Sequence, residues 1–338
     1  MRQLSIPTSP IRRNELVAHS IWLLGLVALY ASAANAEIRL ERAKLSAPVR
    51  HDYRYDFDTG EVVRDRLQYQ VGLSFLISLA QGKDGGEFQF GGLIGTGNGY
   101  TSPWNTVANF NNDESGNHQI NVRQIYAQWE YERWRTQLGV IPPVKGKVSE
   151  TSLDKDGWIR GGRLIMPVRR QGQFELVVGT LDSLDDPNAF QPWAKANYYE
   201  VEWTHDWSKG WRTELGGVRL DKDRILRGEL RYTATIFGAR TELAGEVLRN
   251  VQSRVWAHDW SIAQRLGSVT LMNEYAYVPK ELGLLGALSN DFFTFGHLWV
   301  LGVKGPLSTE GGLYWFGRNY LGEVRINFKL GVGYSVGF

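Results

Sequence analysis

The sequence predicts an all-β fold, a membrane-spanning antiparallel up-and-down β-barrel of about sixteen strands, within roughly fourteen to eighteen. Three observations carry this. The final segment Glu323–Phe338, EVRINFKLGVGYSVGF, places Val324, Ile326, Phe328, Leu330, Val332, Tyr334, Val336 and Phe338 at every second position, with charged, polar or glycine residues between. A period of two gives a strand with one apolar and one polar face, and this strand is long enough to cross a bilayer when tilted. The same alternation recurs along the chain. The long connections fall on every second junction, as they do when one end of a barrel carries loops and the other tight turns.

The elements follow in chain order. Arg2, Arg12 and Arg13 precede the apolar run Ile21–Tyr30 (IWLLGLVALY), and Ala34-Asn35-Ala36 follows it. A basic start, a short apolar run and small residues at alternate positions read as a secretory signal over 1–36, cleaved before Glu37. No other segment is continuously apolar over the roughly twenty residues that a membrane helix needs. A short periplasmic segment, 37–47, is expected to lead into the barrel, 48–338. Strands are expected over 48–58, 65–80, 86–98, 119–132, 135–142, 158–168, 173–182, 197–207, 211–221, 224–235, 238–249, 254–265, 268–279, 294–305, 311–319 and 323–338. The alternation is clean in Leu67–Leu79 and Tyr199–Trp207 and poor in Trp211–Asp221, Ile159–Val168 and Gly311–Tyr320, which are placed by spacing. The long connections Gly99–His118, Pro143–Gly157, Asp182–Ala196 and Pro279–Phe293 share one parity and are assigned to the outside. The opposite connections, such as Arg133-Trp134 and Leu266-Gly267, are short.

Composition agrees. There are no cysteines, so disulfides and thiolate metal sites are excluded. The 13 Trp and 15 Tyr suit interfacial girdles, and Trp129, Tyr131 and Trp134, like Trp203, Trp207 and Trp211, flank expected short turns. Mean hydropathy is −0.31, too polar for a helical membrane protein. A barrel hides its membrane signal because half of each strand faces water. The formal charge of +2 from 38 basic and 36 acidic residues lacks the excess of a nucleic-acid binder.

Five segments carry a family likeness. They are Arg64–Leu79, Gly95–Asn105 (GTGNGYTSPWN), Arg123–Trp129 (RQIYAQW), Leu138–Val144 (LGVIPPV) and Ser152–Arg163 (SLDKDGWIRGGR). In this order they resemble β-barrel porins of Gram-negative outer membranes, over about the first third of the mature chain. Ile125 stands where that pattern has alanine. The resemblance implies a sixteen-stranded barrel in the cell outer membrane. The terminal Phe338 resembles the assembly signal of such barrels, which implies the barrel-assembly machinery and outer-membrane lipid as partners.

The charged residues nominate a pore. Arg227, Arg231 and Arg240 share a polar face with Glu229, Glu242 and Glu246, and Glu200 and Glu202 lie on an earlier strand. Facing charges of both signs either filter solutes by charge or pair as a polar wall. The loop Pro143–Gly157, with Lys145, Lys147, Glu150, Asp154, Lys155 and Asp156, is the candidate constriction. Its alternative role is a cap over the mouth. Inward aromatics are few: Tyr126, Tyr314 and Phe316. The echo Trp203–Ser208 and Trp256–Ser261 shares W-x-H-D-W-S, but His205 and His258 take the opposite face from Asp206 and Asp259. A relay of Ser, His and Asp needs direct contact, so no enzyme is expected. Metal and cofactor sites are likewise not expected, since the 6 histidines show no ligand spacing. The reading is a channel for passive diffusion of small hydrophilic solutes. A barrel exporting a polymer such as an exopolysaccharide and a non-conducting structural or assembly barrel are its alternatives. A homotrimer is compatible with each, without a legible interface. On the register of the last strand, arginine at Leu330 is expected to harm insertion, and arginine at Gly331 or Ser335 to be tolerated.

Overall fold

Alternating strands bury their polar faces by closing on themselves, and the chain does so. A computed structural model describes residues 38–81, 85–111, 116, 118–143, 153, 156–168, 171–181, 184, 187, 189–283, 295–308 and 312–338. Its strands are β1 (Arg39–Asp56), β2 (Glu61–Tyr69 and Gly72–Gln81), β3 (Glu87–Thr96 and Asn105–Asn109), β4 (Ile120–Tyr131), β5 (Trp134–Ile141), β6 (Ile159–Val168), β7 (Gly172–Thr180) and β8 (Tyr198–Asp206). They continue as β9 (Trp211–Leu220), β10 (Asp223–Ile236), β11 (Ala239–Asn250), β12 (Trp256–Leu266), β13 (Val269–Val278), β14 (Gly296–Pro306), β15 (Leu313–Gly322) and β16 (Arg325–Gly337). Each pairs antiparallel with its sequence neighbours. β16 closes the ring on β1, from Lys44↔Gly337 to Asp56↔Arg325. The result is a closed sixteen-stranded barrel, which leaves no free edge. No helix among the described residues is long and apolar enough to cross a membrane.

Two strands are drawn in two pieces. β2 is interrupted only at residues 70 and 71, where the Gln70 amide still donates to the Pro48 carbonyl at 2.9 Å. β3 leaves the wall after Thr96 and resumes at Asn105–Asn109 against β2. Residues 97–104 of that excursion enter the lumen. Gly97 permits the departure with φ +80°, where a β-carbon would overlap the Ser102 carbonyl.

The structure corrects the expected start of the barrel. Residues 39–47 are not a periplasmic lead but the first half of β1, paired with β2 and β16. The period-two signal is weak there for three reasons. Ala43 and Ala47 stand where large apolar residues would mark the outer face. A register shift falls between Leu40 and Arg42. Pro48 reads as a strand break, yet it sits opposite the interruption in β2, where no ladder donor is needed. The connection expected over Gly99–His118 is likewise shortened by the Asn105–Asn109 piece. Residues 1–37 and the proposed signal lie outside the described residues.

Parity holds around the ring. On β16, Phe328, Leu330 and Val332 are exposed on the outer face, while Asn327 and Lys329 are buried on the inner one. Aromatic rings gather outside at the short-turn end. Trp129 stacks on Tyr131, His205 lies between Trp203 and Trp207, and Trp211 stacks on Tyr232 at 4.4 Å. Two of the strands that alternate poorly, β6 and β9, have a reason. At the long-loop end of β5 to β13, inward positions are apolar: Ile141, Ile159, Val177, Tyr198, Leu220, Ile225, Leu248 and Val278 are buried in one cluster with loop residues Tyr100, Trp158 and Leu282. Both faces are therefore apolar there, one packed on loops and one turned outward, and the period disappears.

Candidate functional site

The lumen has two unlike walls. The first runs along β7 to β11 and is dominated by carboxylates. Its hub is Arg227, whose guanidinium bonds Glu214 and lies 3.1 Å from Glu246, 3.5 Å from Glu202 and 3.7 Å from Glu229. Arg231 joins Glu214 and Glu229, each at 3.1 Å. Tyr198 donates to Glu200 at 2.8 Å, and Arg163 pairs with Glu175 at 2.8 Å. The hub is dry: Glu246 is 0 % and Arg227 8 % exposed. A buried ion network of this kind resists the loss of any one member, because the partner charge would stay behind unpaired in a medium of low dielectric.

This places the residues named from sequence. Arg227, Arg231, Glu229, Glu246, Glu200 and Glu202 come together in or beside this network. Glu242 and Arg240 share the inward face of β11, with Arg240 exposed at the short-turn end and opposite Arg265. Their arrangement is a cross-linked polar wall. Lys145, Lys147, Glu150, Asp154 and Lys155 lie outside the described residues. Asp156 is inside the barrel, where its carboxylate accepts from Gln70 on β2 at 3.1 Å.

The second wall spans β13 to β16 and β1 to β4, and it lines a cavity of about 640 Å³. Lys44, Arg50, Arg123, Lys304, Arg318 and Lys329 face this space, with Asp156 as the carboxylate among the lining residues. Several cations are held by aromatic faces. Arg50 lies 3.8 Å over Trp104, Lys304 4.1 Å over Tyr314 and Lys329 4.5 Å over Tyr320. Such stacking orients a cation without adding an opposing charge of its own. Asp52, shared by Arg64 at 3.1 Å and Arg50 at 3.8 Å, offsets part of the charge behind the surface. This set was readable only in part from sequence. Lys329 and Arg50 lie on the polar face of clean strands, whereas Arg318 comes from a strand whose alternation is poor. Tyr320, Trp104 and Trp158 join Tyr126, Tyr314 and Phe316 as inward aromatics, two of them carried in on loops.

Arg123 ties the loops into the lumen. Its guanidinium donates to the carbonyls of Asp156 (2.7 Å), Gly99 (2.9 Å), Tyr100 (3.2 Å), Thr96 and Gly97 (both 3.3 Å). Gln124 holds the Gly157 carbonyl at 2.7 Å, and Tyr100 packs on Trp158 with centroids 5.0 Å apart. One arginine on β4 therefore pins two loops, residues 97–104 and the end of the Pro143–Gly157 connection, beside the cationic cavity. The described end of that connection lies inside the barrel. The W-x-H-D-W-S echo divides as its parity requires: His258 packs outside against the tilted rings of Tyr275 and Tyr277, and Asp259 is buried on the lumen side.

No family model matches the chain, and no curated protein matches it. Solved structures do. OpdO of Pseudomonas aeruginosa aligns with TM-score 0.53 at 11% identity, over 88% of this chain and 97% of that one. OpdQ of the same organism aligns with TM-score 0.57 at 10% identity, over 88% and 98%. A triple mutant of the Rh. blastica porin aligns with TM-score 0.56 at 9% identity, over 87% and 100%. At these identities the likeness is one of fold, and the fold is that of the outer-membrane porins.

Proposed function

From a chain that folds as those porins fold, we propose an outer-membrane channel of a Gram-negative bacterium that passes small hydrophilic solutes without an energy source and favours anions. The observation that carries this is the cavity of about 640 Å³ whose described lining holds six cations and one carboxylate, set against a wall whose own charges are consumed in a buried network. Charge fixed in a narrow space of low-dielectric walls selects permeating ions by sign. Aromatic rings under the cations suit solutes with a carboxylate and an apolar body, which contact both chemistries at once.

In this reading residues 1–36 are the export signal, and the long-loop end faces outward. Phe338 serves the assembly machinery, and the loops pinned by Arg123 form the constriction. A homotrimer belongs to the same proposal. The test is single-channel recording of the purified protein in a planar bilayer, with reversal potential measured in a salt gradient. Ohmic conductance with anion preference supports the reading. A barrel that conducts only once the Pro143–Gly157 loop is trimmed supports the gated exporter instead. One that conducts in neither form supports a structural barrel.

A further inference from the structure

At the long-loop end of β9 to β11, three arginines face away from the lumen. Arg219 on β9 stands directly opposite Arg224 on β10, and Arg249 on β11 stands opposite Leu226, one outward step below Arg224. All three are exposed. The Arg219 guanidinium lies 5.8 Å over Tyr199 and that of Arg249 5.0 Å over Trp256. The outward orientation of these two is thus fixed by contact as well as by parity, and that of Arg224 by parity. Lys222 and Arg254, in the two adjoining turns, are exposed beside them.

Like charges directly opposite on neighbouring strands are destabilising unless something neutralises them. Among the described residues no carboxylate pairs with any of the three. Arg219 donates to the Asp221 backbone carbonyl at 3.2 Å, and Asp223 points inward, where its carboxylate accepts from Asn250 at 3.5 Å. Other acidic groups on the outer face do find basic partners: Asp65 meets His51, and Glu323 lies 3.9 Å from His297. The triad of Arg219, Arg224 and Arg249 has no such partner of opposite charge among the described residues.

Its depth identifies the anion's carrier. Tyr199 and Trp256 are 41 % and 53 % exposed at the same height, the setting of rings at a membrane–water interface. Directly below on the same face lie Val201, Leu215 and Leu226, all exposed and apolar, with Gly217 leaving the wall shallow between them. The surface is cationic where headgroups sit and greasy where acyl chains run. We propose that Arg219, Arg224 and Arg249 form a binding site for a phosphate-bearing lipid headgroup of the outer leaflet, whose chains lie along β8 to β10. Guanidinium forks match phosphate oxygens bidentately, and the two cross-strand arginines can share one phosphate. The site rests on the membrane placement proposed above and not on transport.

The test uses the mature chain in detergent micelles and counts retained lipid by native mass spectrometry. The probes are diphosphorylated lipid A, the same lipid with its phosphates removed, and inorganic phosphate at equal concentration. Wild type should retain the phosphorylated lipid and release the dephosphorylated one. An R219S/R224S/R249S variant should lose affinity on the order of a hundredfold, from three basic side chains acting at a charged surface. The single R224Q variant should lose about fivefold, and R265S at the opposite end should lose nothing. Heat-modifiable migration establishes that each variant is a folded barrel, so loss of fold is distinguishable from loss of the site. Equal retention of both lipids by wild type, or full retention by the folded triple variant, overturns the proposal. Binding of inorganic phosphate without the lipid also overturns it and makes the site one for a soluble anion.

Discussion

Reversing the cationic wall should reverse the channel's preference. A sphere of 640 Å³ has a radius of about 5 Å, so an ion at the centre of the cavity sits about 5 Å from each lining charge. At that range a unit charge contributes about 0.8 kcal/mol in water, and exchanging a cation for a carboxylate contributes about 1.6 kcal/mol, more than tenfold in local anion concentration before screening. Lys304, Arg318 and Lys329 lie on adjacent strands, with Arg318 directly opposite Lys329. Changing all three to Glu turns the described lining of six cations and one carboxylate into three cations and four carboxylates. The reversal potential in a potassium chloride gradient should move from the anion side to the cation side. The shift should be large at 0.1 M salt, where the screening length is about 10 Å, and small at 1 M, where it is about 3 Å and shorter than the cavity radius. Arg227, Arg231 and Arg240 serve as the contrast. The first two are bonded into the buried network, so their replacement should move the potential far less. A reversal potential unchanged in the Lys304, Arg318 and Lys329 variant, or moved more by the Arg227 set, would refute the assignment of the permeation path.

Three further outcomes follow from the geometry. Arg227→Met takes the shared cation from Glu202 and Glu246 and leaves Glu214 and Glu229 to Arg231, and should cost about 3–5 kcal/mol. The midpoint of heat-induced loss of the compact gel form should fall accordingly, and adding Glu246→Gln should recover part of it. Arg123→Leu removes five carbonyl contacts from two loops and should raise single-channel conductance with the barrel intact; unchanged conductance would place the constriction elsewhere. On the last strand, Leu330→Arg faces lipid and should cost about 2–4 kcal/mol near the midplane, while Ser335→Arg faces inward and should insert normally. The same logic fails at Gly331. It also faces inward, but a β-carbon there would overlap the Val49 carbonyl and the Phe316 ring, so Gly331→Arg should be as damaging as the lipid-side change.

By itself the sequence determined the wall. Side chains alternate across any strand, so a list of apolar positions specifies which residue faces out, and the parity of long and short connections specifies how many strands intervene. Phe328 and Leu330 outward, Asn327 and Lys329 inward, and the aromatic girdle at the short turns all follow from this local rule. The rule weakened where a strand end is apolar on both faces, as at Leu220 and Ile159, because inward packing on loops erases the period. It weakened also where small residues and a proline stand in the wall, as between Ala43 and Pro48.

What tertiary structure alone decided is how charge is distributed around the ring. Alternation says that Arg227 and Arg318 both point inward. It does not say that one is enclosed by carboxylates from three neighbouring strands while the other lines a space. For Arg318 that depends on closure, where β16 meets β1 and brings Arg325 beside Asp56, 269 residues apart in the chain. It depends also on where two loops come to rest. Arg123 holds them through carbonyl groups, which every residue carries, so the sequence of the loops bears no mark of the contact that fixes them.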